Sequence, residues 1–174
     1  MNNELTAISM GSPGGELMAQ KELQKRCFMI LGAVGAGKTT LMQALEGEEG
    51  TARKTQSIDY KGWGIDTPGE YTEMGFHRLS LVAAAAGAHI LVVVQDATRP
   101  YSRFPPNYLL MFPRKSIGVV TKVDMPEANI GKAAQLLREC GVRGDIYNVS
   151  ALSGEGIDDL RQRLLIEQNN PQRS

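Results

Sequence analysis

The run Gly32-Ala33-Val34-Gly35-Ala36-Gly37-Lys38-Thr39 fits G-x-x-x-x-G-K-[ST] at every fixed position, the pattern of a phosphate-binding P-loop. Glycines let such a backbone curl until successive N–H groups point inward at phosphate oxygens, and the helix that follows adds its positive end. The residues expected to hold phosphate are Gly32, Val34, Gly35, Ala36, Gly37, Lys38, Thr39 and Thr40. Lys38 is expected to reach the β- and γ-phosphates, and the Thr39 hydroxyl to ligate Mg²⁺.

Three further motifs come after it in order. Asp66-Thr67-Pro68-Gly69 offers Asp66 to the Mg²⁺ shell and the Gly69 N–H as a sensor of the γ-phosphate. Thr121-Lys122-Val123-Asp124 and Ser150-Ala151-Leu152 each follow an apolar strand pattern. With the P-loop, these resemble the G1, G3, G4 and G5 signatures of small GTPases. The resemblance implies that Asp124 accepts hydrogen bonds from guanine N1–H and its amine. It also implies that the stem of Lys122 lies against the base, and that Ala151 N–H, between Ser150 and Leu152, meets O6. Adenine has the opposite polarity there and would leave buried groups unpaired, a mismatch worth about 10⁴-fold. Thr121 departs from the commoner asparagine, which braces loops, so the departure bears on affinity rather than on the base.

The remaining Mg²⁺ ligand is read as Thr55 in preference to Thr51, with a plain strand-starting threonine as the alternative. Glu70 stands where Ras-like proteins place the glutamine that orients water. It either takes that catalytic role beside Lys38, against repulsion from the γ-phosphate, or caps its own loop. Val34 occupies a position that is glycine in Ras, and its branched side chain is expected to crowd the attacking water. Both departures predict slow, assisted hydrolysis of GTP to GDP. Gly35 replaces the asparagine of potassium-activated GTPases, so that mode of activation is not expected. His77 and His89 are read as structural, Arg99 and Arg103 as solvated surface residues in preference to contacts for a partner or a substrate carboxylate, and Asp96 as a brace for the nucleotide loops.

The runs Lys54-Thr55-Gln56-Ser57-Ile58, Ile65-Asp66-Thr67-Pro68-Gly69-Glu70-Tyr71, Gln95-Asp96-Ala97-Thr98, Ser102-Arg103-Phe104-Pro105-Pro106 and Ile117 to Asp124 resemble the EutP/PduV family, small Ras-like proteins of ethanolamine and propanediol utilization. The resemblance covers about Cys27 to Leu165. It implies a bacterial cytoplasmic protein linked to microcompartments, with shell or enzyme proteins there as partners. A second reading on the same scaffold is a phosphotransferase that passes the γ-phosphoryl of ATP or GTP to a small carboxylate such as acetate. A nucleotide-bound adaptor that barely turns over is a third.

The elements that must position these residues alternate. Strands are expected at Cys27–Leu31, Thr55–Tyr60, Trp63–Asp66, His89–Val94, Ser116–Val120 and Ile146–Val149. The Lys61-Gly62 turn signal makes the second and third an antiparallel hairpin. Helices are expected after the P-loop, over Gly75–Ala86 with Leu79, Val82, Ala83 and Ala86 inward, over Ile130–Cys140 with Ile130, Ala133, Ala134 and Leu137 inward, and over Ile157–Ile166 with Ile157, Leu160, Leu164 and Leu165 inward. The proline-rich stretch Arg99–Pro113 permits only a turn or two, at Asn107–Phe112. This α/β pattern gives a Ras-like P-loop fold, a mostly parallel six-stranded sheet with one antiparallel strand and helices on both faces.

With 174 residues, the chain reads as one domain over 25–167, an N-terminal extension over 1–24 and a disordered tail over 168–174. The extension, broken at Ser12-Pro13-Gly14-Gly15, is either a docking peptide or a segment ahead of a start at Met18. Lysine plus arginine and aspartate plus glutamate both number 19, for a formal net charge of zero. Nothing in that balance calls for nucleic acid as a partner. Cys27 and Cys140 are read as buried reduced thiols. The longest apolar stretch, Leu79–Val94, holds Ser80, Gly87 and His89 and is too short for a membrane span.

Overall fold

The computed structural model describes residues 27–47, 59–61, 64–70 and 78–169. Strands β1 (Cys27–Gly32), β2 (Asp59–Lys61), β3 (Gly64–Asp66), β4 (Ala88–Asp96), β5 (Lys115–Thr121) and β6 (Ile146–Asn148) form one sheet in the order β2-β3-β1-β4-β5-β6. β2 runs antiparallel to β3, and the neighbouring pairs from β3 to β6 are parallel. Helices α1 (Lys38–Glu46), α2 (Arg78–Ala85), α3 (Ile130–Glu139) and α4 (Ile157–Asn169) complete the described elements, with a 3₁₀ turn at Tyr108–Met111.

Side chains alternate across a strand, so the apolar runs of β1 and β4 feed two cores. Phe28, Ile30, Ile90 and Val92 meet Leu41, Met42 and Leu45 of α1 and Leu160 and Leu164 of α4. Met29, Leu31, Leu91 and Val93 face Leu81, Ala84 and Ala85 of α2, Ala133 and Leu137 of α3, and the aromatics Phe104, Tyr108 and Phe112. The proline-rich stretch is therefore part of the core. Its three rings pack in series at tilted angles, with centroids 5.2 and 5.8 Å apart. Two arginines close helix ends from other elements. Arg161 donates to the Leu45 and Ala44 carbonyls at 3.0 and 2.8 Å, and Arg114 to those of Ala85 and Ala86 at 3.2 and 2.9 Å. Each satisfies carbonyls that a helix terminus leaves without an internal donor.

Three inward faces differ from expectation. Leu79 is 83% exposed, and α2 instead buries Leu81, Ala84 and Ala85. That segment is apolar almost all round, so periodicity could not choose a side. In α3 the buried set is Ala133, Leu136 and Leu137, while Ile130 at the first turn is exposed. In α4 Leu165 is exposed beside buried Leu164, one position round from the face that Ile157, Leu160 and Leu164 turn to the core. Helix α4 also continues to Asn169, beyond the expected tail boundary. Cys140 is buried and reduced. The extension over 1–24, the start of the Thr55 strand, Thr51, Thr55, His77 and residues 170–174 lie outside the described residues.

The parallel strands all end on one edge of the sheet. β1 ends at the P-loop, β3 at Asp66, β4 at Asp96, β5 at Thr121 and β6 just before Ser150. β1 lies between β3 and β4, so the chain leaves it in both directions, which opens the ligand crevice of such sheets.

Candidate nucleotide site

Two contacts hold the end of the P-loop, one to its own start and one to β3. Lys38 is 6% exposed, and its Nζ donates to the Ala33 carbonyl at 3.0 Å. The ammonium is thus folded back across the loop it is expected to serve. The Thr39 hydroxyl donates to Asp66 Oδ2 at 2.9 Å, which joins the two expected Mg²⁺ ligands between the first turn of α1 and the end of β3. Thr67 fastens that junction by donating to the Ile30 carbonyl at 2.6 Å. A hydroxyl and a carboxylate are hard oxygen donors that suit Mg²⁺ with phosphate oxygens completing its shell. Among the described residues no group of three His, Cys, Asp or Glu side chains is placed to hold a metal. When bound, Mg²⁺ would neutralise phosphate charge.

Gly69 lies directly on the loop. A Cβ there would stand 2.6 Å from Val34 Cα and closer still to Val34 N, so only glycine permits the approach. The structure thereby brings the third motif against the half-buried Val34 of the first, with Glu70 next in line.

Thr121, at the end of β5, is buried, and its Oγ1 donates to the Ala36 carbonyl at 2.8 Å. A Cβ on Gly37 would touch Thr121 at 3.8 Å. The threonine therefore braces the P-loop, the task expected of the commoner asparagine. Lys122 takes a left-handed φ of 60°, uncommon for a residue with a side chain. Its Nζ reaches Asp96 Oδ2 at 2.6 Å. Asp96 is 1% exposed and also accepts from the Thr98 N–H and hydroxyl at 2.9 and 2.7 Å. Burial pushes its pKa up, but the Lys122 and Thr98 hydrogen bonds outweigh burial and hold it below the ordinary aspartate value. A charged Asp96 thus holds both its own turn and the Thr121–Asp124 loop.

Asp124 is exposed at the tip of that loop. Val123 N–H contacts the Val149 carbonyl at 3.5 Å, which links the loop to the Ser150 segment. Ser150 is buried and braced by its own turn: its N–H donates to the Glu155 carbonyl at 3.0 Å, and its carbonyl accepts from Gly154 at 2.9 Å. Ala151 is half-buried and Leu152 exposed beside it. Thr40 lies in the first turn of α1. All the described candidates share one edge of the sheet.

Arg99 does not lie on the solvated surface where the sequence reading puts it. It is half-buried, and a Cβ on Gly35 would stand 3.0 Å from its Nη2. The proximity of Asp96 to this loop is legible in the sequence; the turn that returns Arg99 to the P-loop has no motif. Arg103 is exposed and lies over the Tyr101 ring, 5.2 Å from its centroid.

A P-loop sequence between β1 and α1, an acidic turn after β3 and paired loops after β5 and β6, on a largely parallel sheet, give an α/β protein of the Ras-like kind. Fold comparison agrees. The Methanosarcina barkeri Roco2 RocCORdC structure bound to GDP overlaps with a TM-score of 0.59 at 20% identity, covering 81% of this chain and 48% of that one. The profile of the PduV-EutP family, described as ethanolamine utilisation - propanediol utilisation, matches residues 25–166, and the chain belongs to this family. A relative from Salmonella typhimurium, named "Probable acetate kinase EutP", is 40% identical over 135 residues, 76% of this chain and 83% of that one. The "Propanediol utilization protein PduV" of Citrobacter freundii is 35% identical over 134 residues, 76% and 89% of the two chains. Translation initiation factor IF-2 of Bacillus licheniformis is 29% identical, over 83% of this chain but only 23% of the factor.

Proposed function

We propose that this chain binds GTP and GDP with Mg²⁺, hydrolyses GTP slowly, and acts in ethanolamine- or propanediol-type catabolism in association with bacterial microcompartments. The domain spanning 25–167 carries this activity, with partners among microcompartment shell or enzyme proteins. The observation that carries the reading is the Thr121 bond to the Ala36 carbonyl, 2.8 Å long. It ties the Thr121–Asp124 loop to the P-loop, which supports reading Asp124 and Lys38 as parts of one site. The likeness to an initiation factor and to a GDP-bound structure supports guanine as the base.

In this reading Lys38 and the P-loop N–H groups hold the phosphates, and Thr39 and Asp66 hold Mg²⁺, with Thr55 as a further ligand. Gly69 N–H and Glu70 approach from the γ-phosphate side. Asp124, the Lys122 stem and Ala151 N–H read the base. Val34 and Glu70 keep hydrolysis near or below the unassisted Ras-type value of about 10⁻⁴ s⁻¹. A single-turnover assay at saturating Mg²⁺ measures it, and about 1 s⁻¹ from the pure protein would refute slow turnover.

The name borne by the Salmonella relative favours a second reading, transfer of the γ-phosphoryl to acetate. Incubating the pure protein with GTP or ATP, with and without acetate, and identifying the phosphorylated product decides between them. Inorganic phosphate from GTP alone supports hydrolysis. Acetyl phosphate formed faster than free phosphate replaces it with the kinase.

A further inference from the structure

The proposed nucleotide site leaves Arg99 without a role, and a part for it in binding rests on that site. Arg99 leaves β4 through a tight turn whose frame is Asp96. The Thr98 N–H and hydroxyl donate to the Asp96 carboxylate at 2.9 and 2.7 Å, and the Arg99 N–H returns to the Asp96 carbonyl at 3.2 Å. This turn carries the side chain back over the P-loop.

Gly35 has a left-handed φ of 72°, and a Cβ on it would stand 3.0 Å from Arg99 Nη2. The guanidinium therefore fills the space that a side chain at this loop position would take. Its Nε is 3.5 Å from Asp96 Oδ2, whereas Lys122 Nζ holds the same oxygen at 2.6 Å. One buried carboxylate thus faces two cations, and the nearer already supplies a charge-assisted hydrogen bond. Arg99 is more positive charge than Asp96 alone requires. A guanidinium has five N–H donors in a planar fork that matches phosphate oxygens. The charge surplus lies beside a loop whose sequence is built to receive phosphate.

We propose that Arg99 contacts the phosphate groups of the bound nucleotide from the Gly35 side of the loop. Asp96 pre-positions the guanidinium before the nucleotide arrives, so little side-chain freedom is lost on binding. The same carboxylate holds Lys122, which places a base-side and a phosphate-side residue on one support. Arg99 is then a binding residue that recognises the nucleotide polyphosphate.

The test measures equilibrium affinity for fluorescent GDP and GTP with Mg²⁺, using the full chain and its Arg99→Ala, Arg99→Gln and Arg103→Ala variants. Loss of a charge-assisted contact to phosphate should weaken binding by about 10- to 100-fold in both Arg99 variants. Arg103→Ala, altered in the same stretch, should bind as wild type. Free guanidinium at millimolar concentration should recover affinity in Arg99→Ala, a gain that a merely structural prop would not show. If Arg99→Ala does not fold, Arg99→Gln, which keeps part of the aliphatic stem and removes the charge, decides by its affinity. Affinity within twofold of wild type in a folded Arg99 variant overturns the proposal, as does a loss in Arg99→Ala that guanidinium leaves untouched. Wild-type protein that binds neither nucleotide would instead refute the nucleotide site itself.

Discussion

Thr121→Val isolates one hydroxyl in the support of the P-loop. The side chain is 3% exposed, and its Oγ1 lies 2.8 Å from the Ala36 carbonyl and 3.4 Å from that of Gln95. A hydroxyl has one proton to give, and the shorter, normal distance identifies the Ala36 carbonyl as its acceptor. Valine keeps the shape, replaces that donor with a methyl group and sets it against two carbonyls. Loss of one buried, well-formed hydrogen bond costs about 1.5 kcal/mol. For a domain of this size that lowers Tm by about 3–6 °C. If the whole loss also disorders the loop that receives phosphate, GDP affinity falls about tenfold, because 1.4 kcal/mol is a factor of ten. Thermal unfolding of nucleotide-free protein and titration with fluorescent GDP read the two effects separately. Thr121→Asn, whose amide can donate to the same carbonyl, should keep affinity within about threefold of wild type, since the bond and not the residue type matters. A Tm within about 1 °C and an affinity within about twofold for Thr121→Val would refute the brace, since both lie well below the cost of a lost buried bond.

Asp124→Asn should shift preference from guanine to xanthine nucleotides, because an amide can donate to the extra carbonyl of xanthine; competition by GTP, ATP and XTP measures it, and ATP competing as well as GTP against wild type would defeat the guanine assignment. Gly69→Ala forces a Cβ to within 2.6 Å of Val34 Cα, so the Gly69 segment must lift; single-turnover hydrolysis should fall about 10²-fold with GDP affinity retained, and an unchanged rate would show that the approach plays no part. Burial raises the Cys140 thiol to about 11, so alkylation at pH 8 should be far slower in native than in urea-unfolded protein, with peptide mass spectrometry locating the label. Because the unfolded thiol ionises first, its contribution to stability is complete below about pH 9 and declines as pH rises toward 11. Equal labelling rates in the two states would contradict that burial.

The parts of this molecule legible in sequence are those whose physics is local. A P-loop is contiguous, because its glycines, lysine and threonine must act within one turn of backbone. The buried strand β4 shows as an apolar run, Ile90–Val94, set between His89 and Gln95 after the Gly87 break. The inward side of α2 is illegible for the same kind of reason: alanines at Ala83, Ala84, Ala85 and Ala86 give no period, and only packing against β4 selects Leu81 over Leu79. Arg99 escapes for a different cause. Its position depends on the Asp96 side chain closing a turn and on the absence of a Cβ at Gly35, and neither alone is a signal. Thr121 departs from the motif yet makes a bridging bond, since its hydroxyl reaches the Ala36 carbonyl.

The supports of the two halves of the site are neighbours, and this limits how far base recognition can be changed alone. Asp96 and Thr121 face each other in the register of β4 and β5, and the Ala97 N–H donates to the Thr121 carbonyl at 3.0 Å. Through Asp96 the base-side Lys122 is held, and through Thr121 the P-loop is held. Substitution of either residue therefore disturbs a loop on each side, and its effects on base preference and phosphate affinity should not add independently. Asp124 stands outside this arrangement: it is exposed at the loop tip, while its neighbour Val123 packs into the core. In the proposed site, specificity is carried by a side chain that props nothing, on a loop anchored by residues that touch no base edge. Altered base preference can consequently be obtained at Asp124 with the P-loop support intact, whereas changes that remove the Thr121 donor or the Asp96 carboxylate should alter phosphate binding as well.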